Sequence, residues 1–222
     1  MAGDTSMLPE YHKIHTLWKR DERGVVLPWD WSRPEIEYLS DLPWSWTEKV
    51  DGTNIRLGLR GSDLVIGGKT DNAQIPTHLL DAIRGMDLPD KIRAKFPDEQ
   101  WDAVTFYCEG YGPKIQSGGK YRTTPGVVLF DVRVGSWWLG RKDVTDIGAA
   151  LGLDVVPAVG IGSLHKAIAL VAPGFKSRWG DFNAEGLVCR PAVDLFARDG
   201  RRVVCKIKTI DFDRLRRDGT TW

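Results

Sequence analysis

Apolar and polar residues alternate with a period of two along several stretches of the chain. Ile55, Leu57 and Leu59 interleave with Arg56, Gly58 and Arg60, and Gly61-Ser62-Asp63 then turns the chain into Leu64-Val65-Ile66, the pattern of a half-buried β-hairpin. Residues 44–50 read as a strand that runs into Asp51-Gly52, a turn dipeptide. Further strand-like runs cover 104–108, 127–134 and 137–139, interrupted by the glycine-rich stretch 110–119, and two more cover 186–190 and 202–208 around a turn at Asp199-Gly200. Helical spacing predicts four helices. Thr77 caps one over 78–84 that ends at Gly85, and Asp90 opens one that ends at Phe96, before Pro97. The others cover 143–151 and 164–172, the last capped by Ser163 and stopped by Pro173-Gly174. Hairpin-linked strands with helices inserted between them predict an α+β fold of antiparallel sheets with peripheral helices, rather than a doubly wound parallel sheet. No internal repeat occurs. The first ten residues read as loose, and the Pro- and Trp-rich run 27–46 reads as an aromatic lead-in packed on the main domain.

Composition narrows the class. A chain of 222 residues, 42% hydrophobic and 27% charged, can bury a core as one large domain without disulfide or metal staples. Its apolar runs are too short to span a bilayer, and its start lacks the parts of a secretory signal, so the expectation is a cytoplasmic protein with no membrane partner. Cys108, Cys189 and Cys205 are odd in number and lack CxxC spacing, which predicts buried free thiols. Net charge is +1, yet from Arg198 onward eight Lys or Arg stand against four Asp. Such a surplus could face a phosphate backbone, although a solvated charged face looks the same.

Candidate chemistry centres on Glu48-Lys49-Val50-Asp51-Gly52-Thr53-Asn54, a lysine between a strand and a tight turn. By propensity alone this is a turn with a surface lysine. Downstream stand Phe106-Tyr107-Cys108-Glu109-Gly110-Tyr111-Gly112, Val128-Leu129-Phe130-Asp131-Val132, Glu185-Gly186-Leu187-Val188 and Lys206-Ile207-Lys208. Each has a bland reading as core strand or solvent edge. Together and in this order they resemble the motifs of the covalent nucleotidyltransferases, the superfamily of DNA ligases, RNA ligases and mRNA capping enzymes. The resemblance spans Lys49 to Lys208. The Thr53-Asn54 ending is similar to the double-strand-sealing RNA-ligase-2 type, since DNA ligases and capping enzymes tend to carry arginine where Asn54 stands. Gly68-Lys69-Thr70 resembles a further nucleotide-contacting segment, with Lys69 in place of the usual arginine.

What the resemblance implies is an ATP-dependent RNA ligase. Its fold would be a nucleotidyltransferase, ATP-grasp-like domain over 44–222, with 1–43 as lead-in and no room for a C-terminal OB or helical domain. Lys49 would take AMP from ATP and pass it to an RNA 5′-phosphate, and a 3′-hydroxyl would then seal a nicked or broken strand. A lysine attacks phosphorus only when unprotonated, so Lys206, Lys208 and Mg2+, or Mn2+ in its place, would favour the neutral amine and hold the phosphates. Glu109 would lie at the ribose, Phe130 on the adenine, and Glu185 on the metal. Asp51 would orient the nucleophile or bind metal, and Glu48 would help read the base unless it is a plain strand residue. RNA would be gripped by the basic C-terminal stretch, by Tyr11, His12, Lys13, Trp18, Lys19 and Arg20, or through a separate delivery protein. Core packing of Tyr11 and Trp18 is the bland alternative. The competing readings are a minimal DNA ligase, a capping-type guanylyltransferase, and a degenerate member that only binds RNA. The four histidines lack ligand spacing and no P-loop string occurs, which gives hydrolase, zinc-enzyme and kinase readings no support.

Overall fold

The computed structural model describes residues 8–96 and 103–222. Most of the loose start expected over the first ten residues, and the helix-stopping Pro97, lie outside these. By its contacts the chain divides into two compact units. One comprises Asp51–Val156 with the described residues up to Tyr11, and the other His12–Val50 with Pro157–Trp222. The boundary falls inside the Lys49-to-Asn54 motif.

The second unit opens with β1 (His15–Thr16), β2 (Trp18–Arg20), β3 (Val26–Trp31), α1 (Pro34–Tyr38) and β4 (Trp44–Glu48). The first unit then contributes β5 (Thr53–Arg60), β6 (Asp63–Gly67), α2 (Thr77–Arg84), α3 (Leu88–Lys95) and β7 (Val104–Tyr111). It continues with β8 (Gly126–Val134), β9 (Trp137–Trp138), α4 (Arg141–Leu151) and β10 (Asp154–Val155). The chain finishes in the second unit with β11 (Ala158–Gly162), α5 (Leu164–Val171), β12 (Gly186–Pro191), β13 (Cys205–Lys208) and α6 (Thr209–Arg217).

In the first unit the sheet order is β10-β8-β7-β5-β6, with β9 on β8. The hairpin read from Ile55 to Ile66 is present, with Leu57 opposite Ile66 and Leu59 opposite Leu64. Its inward residues Ile55, Leu57 and Leu59 join Phe106, Leu129, Leu79, Ile83, Ile92 and Ile147 in one core. Each such side chain contributes about 2 kcal/mol relative to exposure. In the second unit the sheet order is β1-β13-β12-β4-β11, and β2 and β3 form a separate ribbon. Its core joins Trp18, Trp44, Trp46, Leu187 and Ile207 to Leu164, Ile168 and Phe212.

The α+β class of mostly antiparallel sheets holds, with two parallel pairings, β1 with β13 and β10 with β8. Some expected boundaries shift. Pro76, not Thr77, caps α2 and no side chain accepts there, whereas Ser163 caps α5 by accepting from Lys166 N–H. The α3 helix starts at Leu88, ahead of Asp90, because Asp87 takes a left-handed conformation (φ 51°) that sets Leu88-Pro89 at the first turn. All three cysteines are free and buried.

At the start of β12 the backbone of Gly186 passes against β13. A Cβ there would lie 2.0 Å from the Ile207 carbonyl oxygen, at a φ of +154°. Gly186→Ala is therefore expected to cost about 3 kcal/mol or more, since the obstacle is backbone that cannot rotate away. Urea denaturation followed by circular dichroism measures this directly.

Candidate functional site

Strand pairing in the second unit gathers the lysines of the first and last motifs. Lys49 N–H donates to the Gly186 carbonyl (2.9 Å), extending the β4–β12 ladder in which Leu187 faces Glu48. Across β12 and β13, Val188 faces Lys206 and Gly186 faces Lys208. Cys205 and Ile207 point into the core, so alternation sends Lys206 and Lys208 to the opposite face. Glu185 precedes β12, and its carbonyl accepts the Thr209 N–H (2.9 Å), which fixes its backbone. One carboxylate then serves two ammonium groups: Lys49 Nζ lies 2.7 Å from Oε2 and Lys208 Nζ 2.8 Å from Oε1. Lys206 stands beside them, its pKa pushed down to about 8 by burial first and then by the positive charges of Lys49 and Lys208.

Glu48 is only 1% exposed and lies on the core side of β4, away from the lysine face. Its carboxylate accepts the Ser177 hydroxyl (2.6 Å) and the Arg178 N–H (2.8 Å). The structure thus brings Glu48 to a loop that sequence reading did not single out. Nothing local marks Ser177 or Arg178 as its partners.

In the first unit the open face of the sheet carries the other candidates. Asn54 faces Glu109, and Glu109 faces Val128. A bulge lies between the pairs Tyr107–Asp131 and Cys108–Leu129, with Phe130 as the extra residue of β8. Leu129 and Val132 both enter the core, while Phe130 meets the Tyr11 ring edge-on at 5.1 Å. The Asn54 Oδ1 is buried without a hydrogen-bond partner among the described residues. A buried acceptor of this kind is costly unless a donor meets it. Gly52 is demanded by close approach, since a Cβ would lie 2.2 Å from the Gly110 carbonyl. Asp51 donates its N–H to the Tyr121 hydroxyl (3.2 Å), and Lys69 is exposed beyond β6. Arg56 is fully buried and tied to the Gly68 carbonyl, Asp71 and the Leu8 carbonyl, a scaffold role.

Among the described residues no group of three or more His, Cys, Asp or Glu could hold a metal. Glu185 suits the alternative that magnesium favours, one or two carboxylates completed by phosphate oxygens and water. The basic C-terminal surplus is partly neutralised: Arg201 pairs with Asp199, Arg202 with Asp194, Arg216 with Asp213, and Asp211 with Arg20. Trp18 is core, and the Tyr11 hydroxyl donates to Asp131 (2.7 Å), so packing accounts for both aromatics.

Lys206 yields a pH test. Its folded pKa, about 8, lies below the ordinary 10.5, so between these values the unfolded chain binds more protons and stability rises with pH. Lys206→Met is expected to be more stable than the wild type below about 8, with the gap closing as pH climbs toward 10.5. Thermal melts of both proteins across that window measure it.

Among solved structures, Naegleria gruberi RNA ligase in a mutant form with ATP and Mn matches with a TM-score of 0.62 at 16% identity, over 82% of this chain and 54% of that one. The same ligase with PPi matches with a TM-score of 0.64 at 15% identity, over 96% and 61%. At these identities the likeness is one of fold, and this chain spans little more than half the length of those proteins. A comparison with curated proteins finds no match. The sequence model of the RNA ligase family matches residues 42–208, three quarters of the chain, and the chain therefore belongs to the RNA ligase family.

Proposed function

We propose that the chain is an ATP-dependent RNA ligase that works through a lysyl-AMP intermediate on Lys49. The observation that carries this reading is the Glu185 carboxylate, held at once by the lysine of the first motif and by a lysine of the last. Family membership supports RNA as the polymer, and the solved ligase structures with ATP and Mn support the nucleotide and a divalent ion.

In the proposed reaction the Lys49 ammonium first gives a proton to solvent, and the neutral amine attacks the α-phosphorus of ATP. The N–P bond forms as the bond to pyrophosphate breaks in line, and the amine sheds its remaining extra proton to solvent. Lys206 and Lys208 hold phosphate oxygens and offset the charge that builds on the leaving group. Bound at Glu185, a divalent ion would neutralise phosphate charge and compete with the Lys49 ammonium for the carboxylate. Asn54 and Glu109 take the ribose hydroxyls and Phe130 gives its face to the purine, while Lys69 contacts phosphate and Asp51 orients the lysine or shares the metal. An oxygen of the RNA 5′-phosphate next attacks the phosphorus of the lysyl-AMP, and the P–N bond breaks as the Lys49 amine leaves with a proton from solvent. The 3′-hydroxyl of the adjoining strand attacks the activated phosphorus, forms the phosphodiester and expels AMP. RNA with a nick or break is the substrate class that these ends describe.

Incubation with Mg2+ and α-labelled ATP is expected to leave label covalently on the wild type and none on Lys49→Ala. A panel of nicked RNA, nicked DNA and single strands then reads the polymer, with nicked RNA sealed fastest. Label from GTP alone would point instead to a capping-type enzyme, and the absence of label from either nucleotide would sink the ligase reading.

A further inference from the structure

The segment between α5 and β12 folds back on itself as a tight hairpin. Lys176 bridges to Asn183, Ser177 N–H donates to the Phe182 carbonyl (2.8 Å), and Phe182 N–H to the Gly180 carbonyl (2.9 Å). Its anchor is a buried carboxylate. The Ser177 hydroxyl donates to the buried Glu48 carboxylate and accepts the Trp179 N–H (3.1 Å), and the other Glu48 oxygen takes the Arg178 N–H. Burying a carboxylate is costly unless several hydrogen bonds satisfy it, and here all of those described go to two consecutive residues of one loop. The residue held this way is exposed Arg178. Among the described residues its guanidinium makes no hydrogen bond or ion pair, whereas Lys176 is neutralised by Asp181 and Arg201, Arg202 and Arg216 by their own carboxylates.

From this we infer that the 176–183 hairpin is a phosphate-binding site for the RNA backbone, with Arg178 as the contacting residue and Glu48 and Ser177 as the positioning residues that fix it. The inference rests on the ligase reading for the identity of the polymer. Glu48 is the immediate neighbour of Lys49, so the clamp registers Arg178 against the strand that presents the nucleophile. Arg178 is reached from the core side of β4, while Lys206 and Lys208 occupy the other face. Those lysines supply the cations for the phosphates of a mononucleotide. An arginine whose backbone is anchored on the other side of the strand suits a ligand that continues past the nucleotide, which is a polymer backbone. A planar guanidinium binds phosphate oxygens in pairs, and the ordered loop leaves only the side chain's own freedom to be lost.

Fluorescence anisotropy with a short 5′-phosphorylated RNA tests the assignment on the whole chain, without need of catalysis. Arg178→Ala is expected to weaken binding about tenfold and to lower the slope of log K against log salt by about one, the signature of one lost phosphate contact. Ser177→Ala leaves the arginine in place but removes the clasp, and is expected to weaken binding by a smaller factor that Ser177→Thr restores. Unchanged affinity and slope in Arg178→Ala would overturn the inference, as would a wild type that binds no RNA. A parallel ATP-labelling arm separates the sources of phosphate: an equal loss of label in Arg178→Ala would place the residue on the nucleotide and overturn the assignment. The ligase reading fails separately, through a wild type that takes no label while RNA binding still depends on Arg178.

Discussion

A carboxylate shared by two ammonium groups sets the requirement that the second unit is built to satisfy. Glu185 can meet Lys49 and Lys208 only if three strands run side by side in one register, because the first lysine lies at the end of β4, the carboxylate at the start of β12 and the second lysine at the end of β13. Gly186 permits that closeness by carrying no Cβ where β12 meets β13. The apolar face of the same strands holds the register, since a slip of one residue would bury Lys206 and Lys208 and expose Cys205 and Ile207. Packing and chemistry are thus two faces of one sheet.

Charge concentrated in this way has a cost, borne most visibly by Lys206. Burial and two neighbouring cations work against its charge, and the nearby carboxylate only partly offsets them. In the proposed function a triphosphate would set its own anions against these cations. Glu48 presents the reverse case. Its charge is fully buried but met by the Ser177 hydroxyl and the Arg178 N–H, and it serves to fix a loop.

What could be read in advance followed from local rules. Period-two alternation and turn residues marked β5 and β6, and Ser163 with Pro173-Gly174 marked α5. The strands β1 to β3 escaped notice because they are two to six residues long and because Trp29 adopts a left-handed φ of 67° within β3. The strand β11 hides behind Gly160 and Gly162, whose missing side chains make room for the Trp46 ring. Residues 209–217 are too polar to signal the helix that they form. Of the site, the order of motifs named the lysines and Glu185, and pairing register then explains how the lysines converge on it. The bulge at Phe130 and the Glu48 clasp on Ser177 depend on contacts far apart in the chain, where no local pattern reports them.

In the proposed function Glu185 organises Lys49 for attack on a nucleotide. This is tested most directly by mass spectrometry of the peptide that carries Lys49 after incubation with ATP and Mg2+, comparing the wild type with Glu185→Gln at equal fold stability. That role predicts an AMP adduct on Lys49 in the wild type and its loss in the variant. An adduct that forms as fast in Glu185→Gln, or that falls on another lysine, would contradict it.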